Sequence, residues 1–246
     1  MRKKVLNQPI DTFTLDEAVY LARGAFLNPK QFKIITLNPE MIVNATKNIE
    51  FQAAINNANL IVPDGTGIVW AYKTLNKSEK IIERVPGIEL SEKILEIANQ
   101  LKKKIAIFGS TKNILEKAVE ALQNKYPNIT IVKAIDGYQN VEKDLEIAEE
   151  ISNEDPDLVL VALGSPRQEI WINKYSNLFP QSIMIGIGGS LDIWSGKVKR
   201  APKWFRDNHL EWFYRAVSQP KRTTRILKSL PKFVCMVIKL KLSTKH

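Results

Sequence analysis

Between residues 33 and 185 this chain alternates short, almost wholly apolar runs with longer amphipathic segments, and few folds accept that pattern. Strands are read over 33–37, 59–62, 104–108, 129–132, 158–162 and 182–185. Their hydrophobicity is nearly continuous rather than alternating, so both faces of each strand need covering. Helical patterns fill the intervals, over 39–57, from 68, over 89–102, 114–126 and 141–152, and through Gln168 to Trp171. The pattern predicts an α/β fold, Rossmann-like, with a mostly parallel sheet and helices on both faces. Strand order is not encoded in any local signal.

Sheets of this kind hold ligands beyond the carboxyl ends of their strands. Those ends carry Thr36 and Asn38, then Asp64 to Thr66, Gly109 to Thr111, Asp136 to Tyr138, Gly164 to Gln168, and Gly188 and Gly189 with Asp192. The richest of them, Gly186 to Lys197, directly follows an apolar strand. Glycines there let backbone N–H groups approach a ligand, with Asp192 beside them; a turn with no ligand is the plainer alternative. Asp64, between Pro63 and Gly65, is the best candidate for acid–base work, the alternative being a cap for the helix that follows. Arg84 can hold a phosphate or pair with Glu83.

Several chemistries lack their residues. His209 and His246 are the only histidines, and Cys235 is the only cysteine. A zinc site, a disulfide framework and a Ser-His-Asp triad therefore have no natural members. Asp155-Pro156-Asp157 matches a divalent-metal pattern but precedes a strand, at the edge away from the other polar groups. We expect no metal. Neither a full Gly-x-Gly-x-x-Gly series nor a phosphate loop occurs.

Charge divides the chain. The formal net charge is +10, yet after Gly196 the only acidic residues are Asp207 and Glu211. A catalytic body over 1–196 and a basic appendage over 197–246 are expected. The appendage reads as a helix over 204–215 with an aromatic face, then helices over 223–230 and 233–242. It suits an anionic membrane surface or docking on the body. Nucleic-acid binding through its aromatic residues leaves the polar strand ends of the body unexplained and is set aside. No signal-peptide pattern or membrane-spanning run is read, so the expected location is cytoplasmic. A homo-oligomer is compatible with the sequence.

Read together, five segments resemble the WecG/TagA/CpsF family of bacterial glycosyltransferases (glycosyltransferase family 26). They are Thr36 to Glu40, Pro63 to Gly67, Glu83 to Gly87, Gly164 to Glu169, and Gly186 to Gly196 running into Arg200-Ala201-Pro202. The basic C-terminus is similar to that of the family's wall-teichoic-acid branch. The resemblance implies inverting transfer of N-acetylmannosamine from a UDP-sugar donor to the C4 hydroxyl of N-acetylglucosamine on undecaprenyl diphosphate. Related donors, such as the uronic-acid form, and a soluble sugar-nucleotide-modifying enzyme are the alternatives. It implies Asp64 as base, with Thr36, Asn38, Arg84 and Gln168 in the same pocket. Tyr138, Gly188, Gly189 and Asp192, with Gly109 and Ser110, would hold the nucleotide. Arg215, Arg222 and Arg225 would neutralise a diphosphate.

Overall fold

The computed structural model describes residues 2–76, 82–207, 213–214 and 220–243. Its first element was not legible in the sequence: a hairpin of β1 (Arg2–Val5) and β2 (Gln8–Asp11). Leu6 and Asn7 between the strands both have positive φ, 49° and 65°. A two-residue turn matched to strand twist requires that conformation. Asp11 Oδ2 accepts the Ile61 N–H at 2.9 Å, while Arg2, bidentate on Asp11, also donates to Ala58 O and Asn59 O. The hairpin thereby occupies backbone groups that an edge strand leaves open. Next, α1 (Leu15–Leu27) starts at a reciprocal cap: Glu17 N–H donates to Thr14 Oγ1, and Thr14 N–H donates to Glu17 Oε2.

The chain continues through β3 (Phe32–Leu37), α2 (Pro39–Ala45), α3 (Ile49–Asn56), β4 (Leu60–Pro63), α4 (Thr66–Leu75) and α5 (Gly87–Gln100). It then runs through β5 (Lys104–Gly109), α6 (Lys112–Lys125), β6 (Thr130–Ile135), α7 (Asp144–Ser152), β7 (Leu158–Ala162), α8 (Arg167–Tyr175) and β8 (Ile183–Gly186). Last come α9 (Ser190–Trp194), α10 (Lys203–Asp207) and α11 (Pro220–Ser243).

Six of the strands form one sheet in the order β4-β3-β8-β7-β5-β6, every neighbouring pair parallel. Alternate residues serve the two faces. Ile34, Val62, Ile107, Leu160 and Ile185 pack with α1, α5 and α6. On the other face, Ile35 and Ile61 pack with α2, α3 and α4, while Phe108, Val161 and Met184 pack with α7 and α8. This is the expected Rossmann-like α/β architecture with helices on both faces.

Three helix boundaries differ from expectation. The segment over 39–57 is two helices, because Asn48 Oδ1 accepts the Phe51 N–H at 2.9 Å and restarts the helix. Of the helix expected over 204–215, α10 covers the start; residues 208–212 and Arg215 lie outside the described residues. The two expected terminal helices are one, α11, which runs through Pro231. Pro231 removes the donor for the carbonyl of Leu227, and both residues are exposed, so water can replace it.

One face of α11 docks on the body. Ser229, Phe233 and Val237 are buried, and Phe233 and Val237 share a core with Met41, Ile42 and Ile68 of α2 and α4. The Phe233 ring lies 6.4 Å from that of Trp70. Leu227, Lys228, Lys232, Ile238, Lys239 and Leu242 are exposed. Phe233→Ala should cost roughly 3–5 kcal/mol, the usual loss for a fully buried ring. Amide exchange is expected to quicken across α11 while the strands keep their protection. An equal loss throughout the sheet would instead make α11 an integral part of the body's core.

Candidate functional site

Because the sheet is wholly parallel, the polar strand ends singled out in the sequence all lie along one edge. Across the sheet the order is Asp64 after β4, Thr36 and Asn38 at β3, the glycine loop after β8, Gln168 after β7, Gly109 and Ser110 at β5, and Tyr138 after β6. Neighbouring strands lie about 4.8 Å apart. The β4 end is therefore roughly 10 Å from β8 and more than twice as far from β6.

The β4–β3 end is assembled by backbone contacts. Asp64 N–H donates to Leu37 O at 2.8 Å, and Val85 N–H donates to Pro63 O at 2.8 Å. The second bond lays the segment containing Arg84 beside Asp64. It also delivers α5, whose first residue, Gly87, abuts Thr36: a Cβ there would stand 2.9 Å from Thr36 Oγ1. The positive end of the α5 dipole thus adjoins Thr36. The residue at the N-cap position of α4 is Gly65, with φ of 100°, rather than Asp64. Asn38 caps α2, its Oδ1 accepting the Met41 N–H at 3.1 Å.

Gln168 ties the middle of the edge together. It is buried, its Oε1 accepts the Gly188 N–H at 3.1 Å, and its Nε2 donates to Glu169 Oε1 at 2.7 Å. A Cβ on Gly186 would collide with the Gln168 side chain, so this glycine makes room for Gln168. Asp192 sits in α9 with Lys197 Nζ 3.4 Å from its Oδ1. Gly189 is at the N-cap of that short helix.

Toward β6 the loops are joined to one another. Ser110 N–H donates to Ala162 O at 3.1 Å, and Gly137 N–H donates to Ser110 O at 2.8 Å. Gly109, with φ of 138°, packs on the Ala162 backbone. Arg167 completes the join, donating to Gly137 O at 3.2 Å and to Asp144 Oδ1 at 3.0 Å. Beyond it the Tyr138 ring is 80% exposed, free to stack on a planar ligand.

The site calls thus fall into two neighbourhoods on one edge. Thr36, Asp64 and Arg84 belong to the first; Gly109, Ser110 and Tyr138 belong to the second, with Gln168 and the Gly188 loop between them. Arg222 and Arg225 fall on α11, but their side chains, like all of Arg215, lie outside the described residues. Asp157, of the possible metal pattern, accepts bonds from Lys103 Nζ and Lys104 N–H at the opposite edge, each at 2.8 Å. Sequence reasoning assigned no role to Arg167, Asp144 and Glu169, nor to the clamp in which Arg200 meets Glu89 at 2.7 Å and Glu92 at 3.4 Å. A Gln-Glu pair next to Trp171 and Ile172 was the available signal for a buried acid.

Comparison with known proteins finds relatives over nearly the whole chain. A protein of Bacillus spizizenii strain W23 named N-acetylglucosaminyldiphosphoundecaprenol N-acetyl-beta-D-mannosaminyltransferase is 40% identical over 225 residues, covering 91% of this chain and 83% of that one. A protein of the same name from Staphylococcus aureus strain MW2 is 38% identical over 239 residues, covering 96% of this chain and 92% of its own. The profile of the glycosyl transferase WecG/TagA/CpsF family matches residues 3–246. With that match running through every strand of the sheet and every segment of its polar edge, the chain belongs to the WecG/TagA/CpsF family of glycosyl transferases.

Proposed function

We propose that this chain is an inverting glycosyltransferase that moves N-acetylmannosamine from a UDP donor to the C4 hydroxyl of N-acetylglucosamine carried on undecaprenyl diphosphate. The observation that carries the reading is the β4–β3 end, where Asp64, Thr36 and the segment of Arg84 meet beside the N-terminus of α5. The names of the relatives supply the sugar and the acceptor. Product of the transfer is the β-linked disaccharide lipid from which wall teichoic acid is built.

The chemistry follows from the placement. Asp64 accepts the proton of the acceptor hydroxyl as its oxygen attacks the anomeric carbon. The bond from that carbon to the UDP oxygen breaks on the opposite face, which inverts the configuration. Thr36, Asn38 and Arg84 orient the donor sugar, with Gln168 holding the adjacent loop. Tyr138 stacks on the uracil, and the Gly188–Gly189 loop with Asp192 faces the nucleoside. Positive charge from Arg215, Arg222 and Arg225 meets the diphosphate as it leaves, so no metal ion is required.

The acceptor's lipid stays in the bilayer, which gives the basic appendage its second task. Among the described residues no helix is long and apolar enough to cross a membrane. The exposed face of α11 instead mixes lysines with Leu227, Ile238 and Leu242. Each Lys or Arg near an anionic leaflet contributes about 1 kcal/mol. In this reading the enzyme works as a peripheral protein on the cytoplasmic face of the plasma membrane.

Asp64→Asn is expected to lower kcat for acceptor-dependent UDP release by roughly 10²–10⁴, the contribution of a positioned base. The wild-type rate should be the same in EDTA. Near-normal turnover of the variant would remove Asp64 from the mechanism. Truncation after Gly196 removes the arginines and uncovers the Phe233 site on α2 and α4. A folded body with at least roughly a hundredfold loss of activity is expected, as for loss of a charge-stabilising group. Full activity of the truncated chain on a lipid acceptor would contradict a catalytic role for the appendage.

A further inference from the structure

The geometry points to Glu169 as a positioning residue that fixes the amide of Gln168 and, through it, the glycine loop after β8. Glu169 and Gln168 are 4% and 5% exposed on the first turn of α8. Glu169 Oε1 accepts from Gln168 Nε2 at 2.7 Å, and only the NH₂ end of an amide can face that oxygen. The carbonyl end of Gln168 must then point the other way, where it accepts the Gly188 N–H at 3.1 Å. A flipped amide would set donor against donor at Gly188 and acceptor against acceptor at Glu169. Gly186, with no side chain, supplies the space in which this amide lies. The link therefore runs from a buried acid, through a buried amide, to the loop that leads through Gly189 into α9 and Asp192.

Glu169 itself is held on one side only. Its Oε2 is buried without a hydrogen-bond partner, as is Ser165 Oγ. Burial pushes the carboxyl up to about 7, and the nearby Gln168 and Ser165 side chains ease the rise. No charge among the described residues contributes to it. Arg167 on the same turn pairs with Asp144 of α7, Asp192 of α9 pairs with Lys197, and Lys174 lies at the far end of α8 beside Tyr175. When Oε2 takes up the proton, Oε1 remains an acceptor for Gln168. The positioning bond thus survives in either protonation state.

The functional consequence rests on the transferase reading above; the structural link does not. Two measurements on the full chain test it: exchange of the Gly188 amide and KM for the UDP-sugar. Glu169→Gln can still present a carbonyl to Gln168, so both should stay within about threefold of wild type. Glu169→Leu offers no acceptor, and Gly188 exchange and donor KM should each rise about tenfold, with kcat less affected. Combining Glu169→Leu with Gln168→Ala should loosen Gly188 no further than Gln168→Ala alone, because the acid acts through the amide. Unchanged Gly188 protection in Glu169→Leu, or additive effects in the double variant, would overturn the proposal. Should Glu169→Leu not fold, Glu169→Asp withdraws the carboxylate by one methylene and gives the same readout.

A pH series separates this from simple packing. The folded chain holds the Glu169 proton to about 7, whereas an unfolded carboxyl of this kind releases it near 4.5. Stability therefore falls as pH rises between those values, and Glu169→Gln lacks that slope. Thermal midpoints of wild type and Glu169→Gln should diverge from about pH 5 to about pH 8, with wild type the loser at high pH. A constant difference would contradict a one-sided buried acid. Faster Gly188 exchange in a protein with no transferase activity would remove the transferase reading and leave the positioning link standing.

Discussion

Parallel pairing of all six sheet strands is the constraint from which the candidate site follows. With every strand running the same way, every strand-to-helix turn opens at one edge, and every helix-to-strand turn at the other. Residues scattered from Thr36 to Asp192 are therefore neighbours by topology. The last two strands make this decisive. β8 inserts between β3 and β7, bringing the Gly188 loop between the Asp64 end and the Gly109 end. The first part of the fold supplies the Asp64 end, the middle part supplies the Gly109 and Tyr138 end, and the late central strands close the gap.

That edge is held by side chains and backbone groups that bond one another. Asp64 N–H bonds Leu37 O, Val85 N–H bonds Pro63 O, and Gln168 fastens Gly188. Such bonds fix the loops before any ligand arrives, which lowers the ordering needed when substrates bind. They also change how the glycines read. Gly186 admits Gln168 and Gly109 admits the Ala162 backbone, so packing of the site's own parts accounts for both. Tyr138, by contrast, remains outside the packed edge with an open face.

Five of the six strands were legible because burial on both faces leaves an apolar run that few other elements share, whereas β6, at the sheet edge, has no buried residue and was read from its β-branched run alone. All six runs in the sequence became strands of the main sheet, with ends shifted by a few residues at most. The hairpin of Arg2–Val5 and Gln8–Asp11 was not legible, since its strands are polar and its turn holds only Asn7 as a signal. Its reason for existing is a long-range one, the bonds from Arg2 and Asp11 to the edge near Ile61. Strand order was hidden for the same cause: nothing local tells β7 and β8 to occupy the centre. At the candidate site, the residue types at strand ends could be read, but their partners could not. Gln168 was expected in the pocket from the family resemblance, while Glu169, the buried acid one position along to which it donates, was passed over. The appendage was legible as basic and amphipathic; that Phe233 and Val237 enter the core beside α2 and α4 depends on contacts across almost two hundred residues.

A site at the polar edge and a basic helix with an outward lysine-rich face make a single claim, that a water-soluble sugar nucleotide meets a lipid-bound sugar on this surface. The most direct measurement is structural analysis of the product formed from UDP-N-acetylmannosamine and N-acetylglucosaminyl-diphosphoundecaprenol. The account predicts one UDP released per disaccharide lipid, with a β linkage to the C4 oxygen. An α-linked product, or UDP released at the same rate without acceptor, would contradict it.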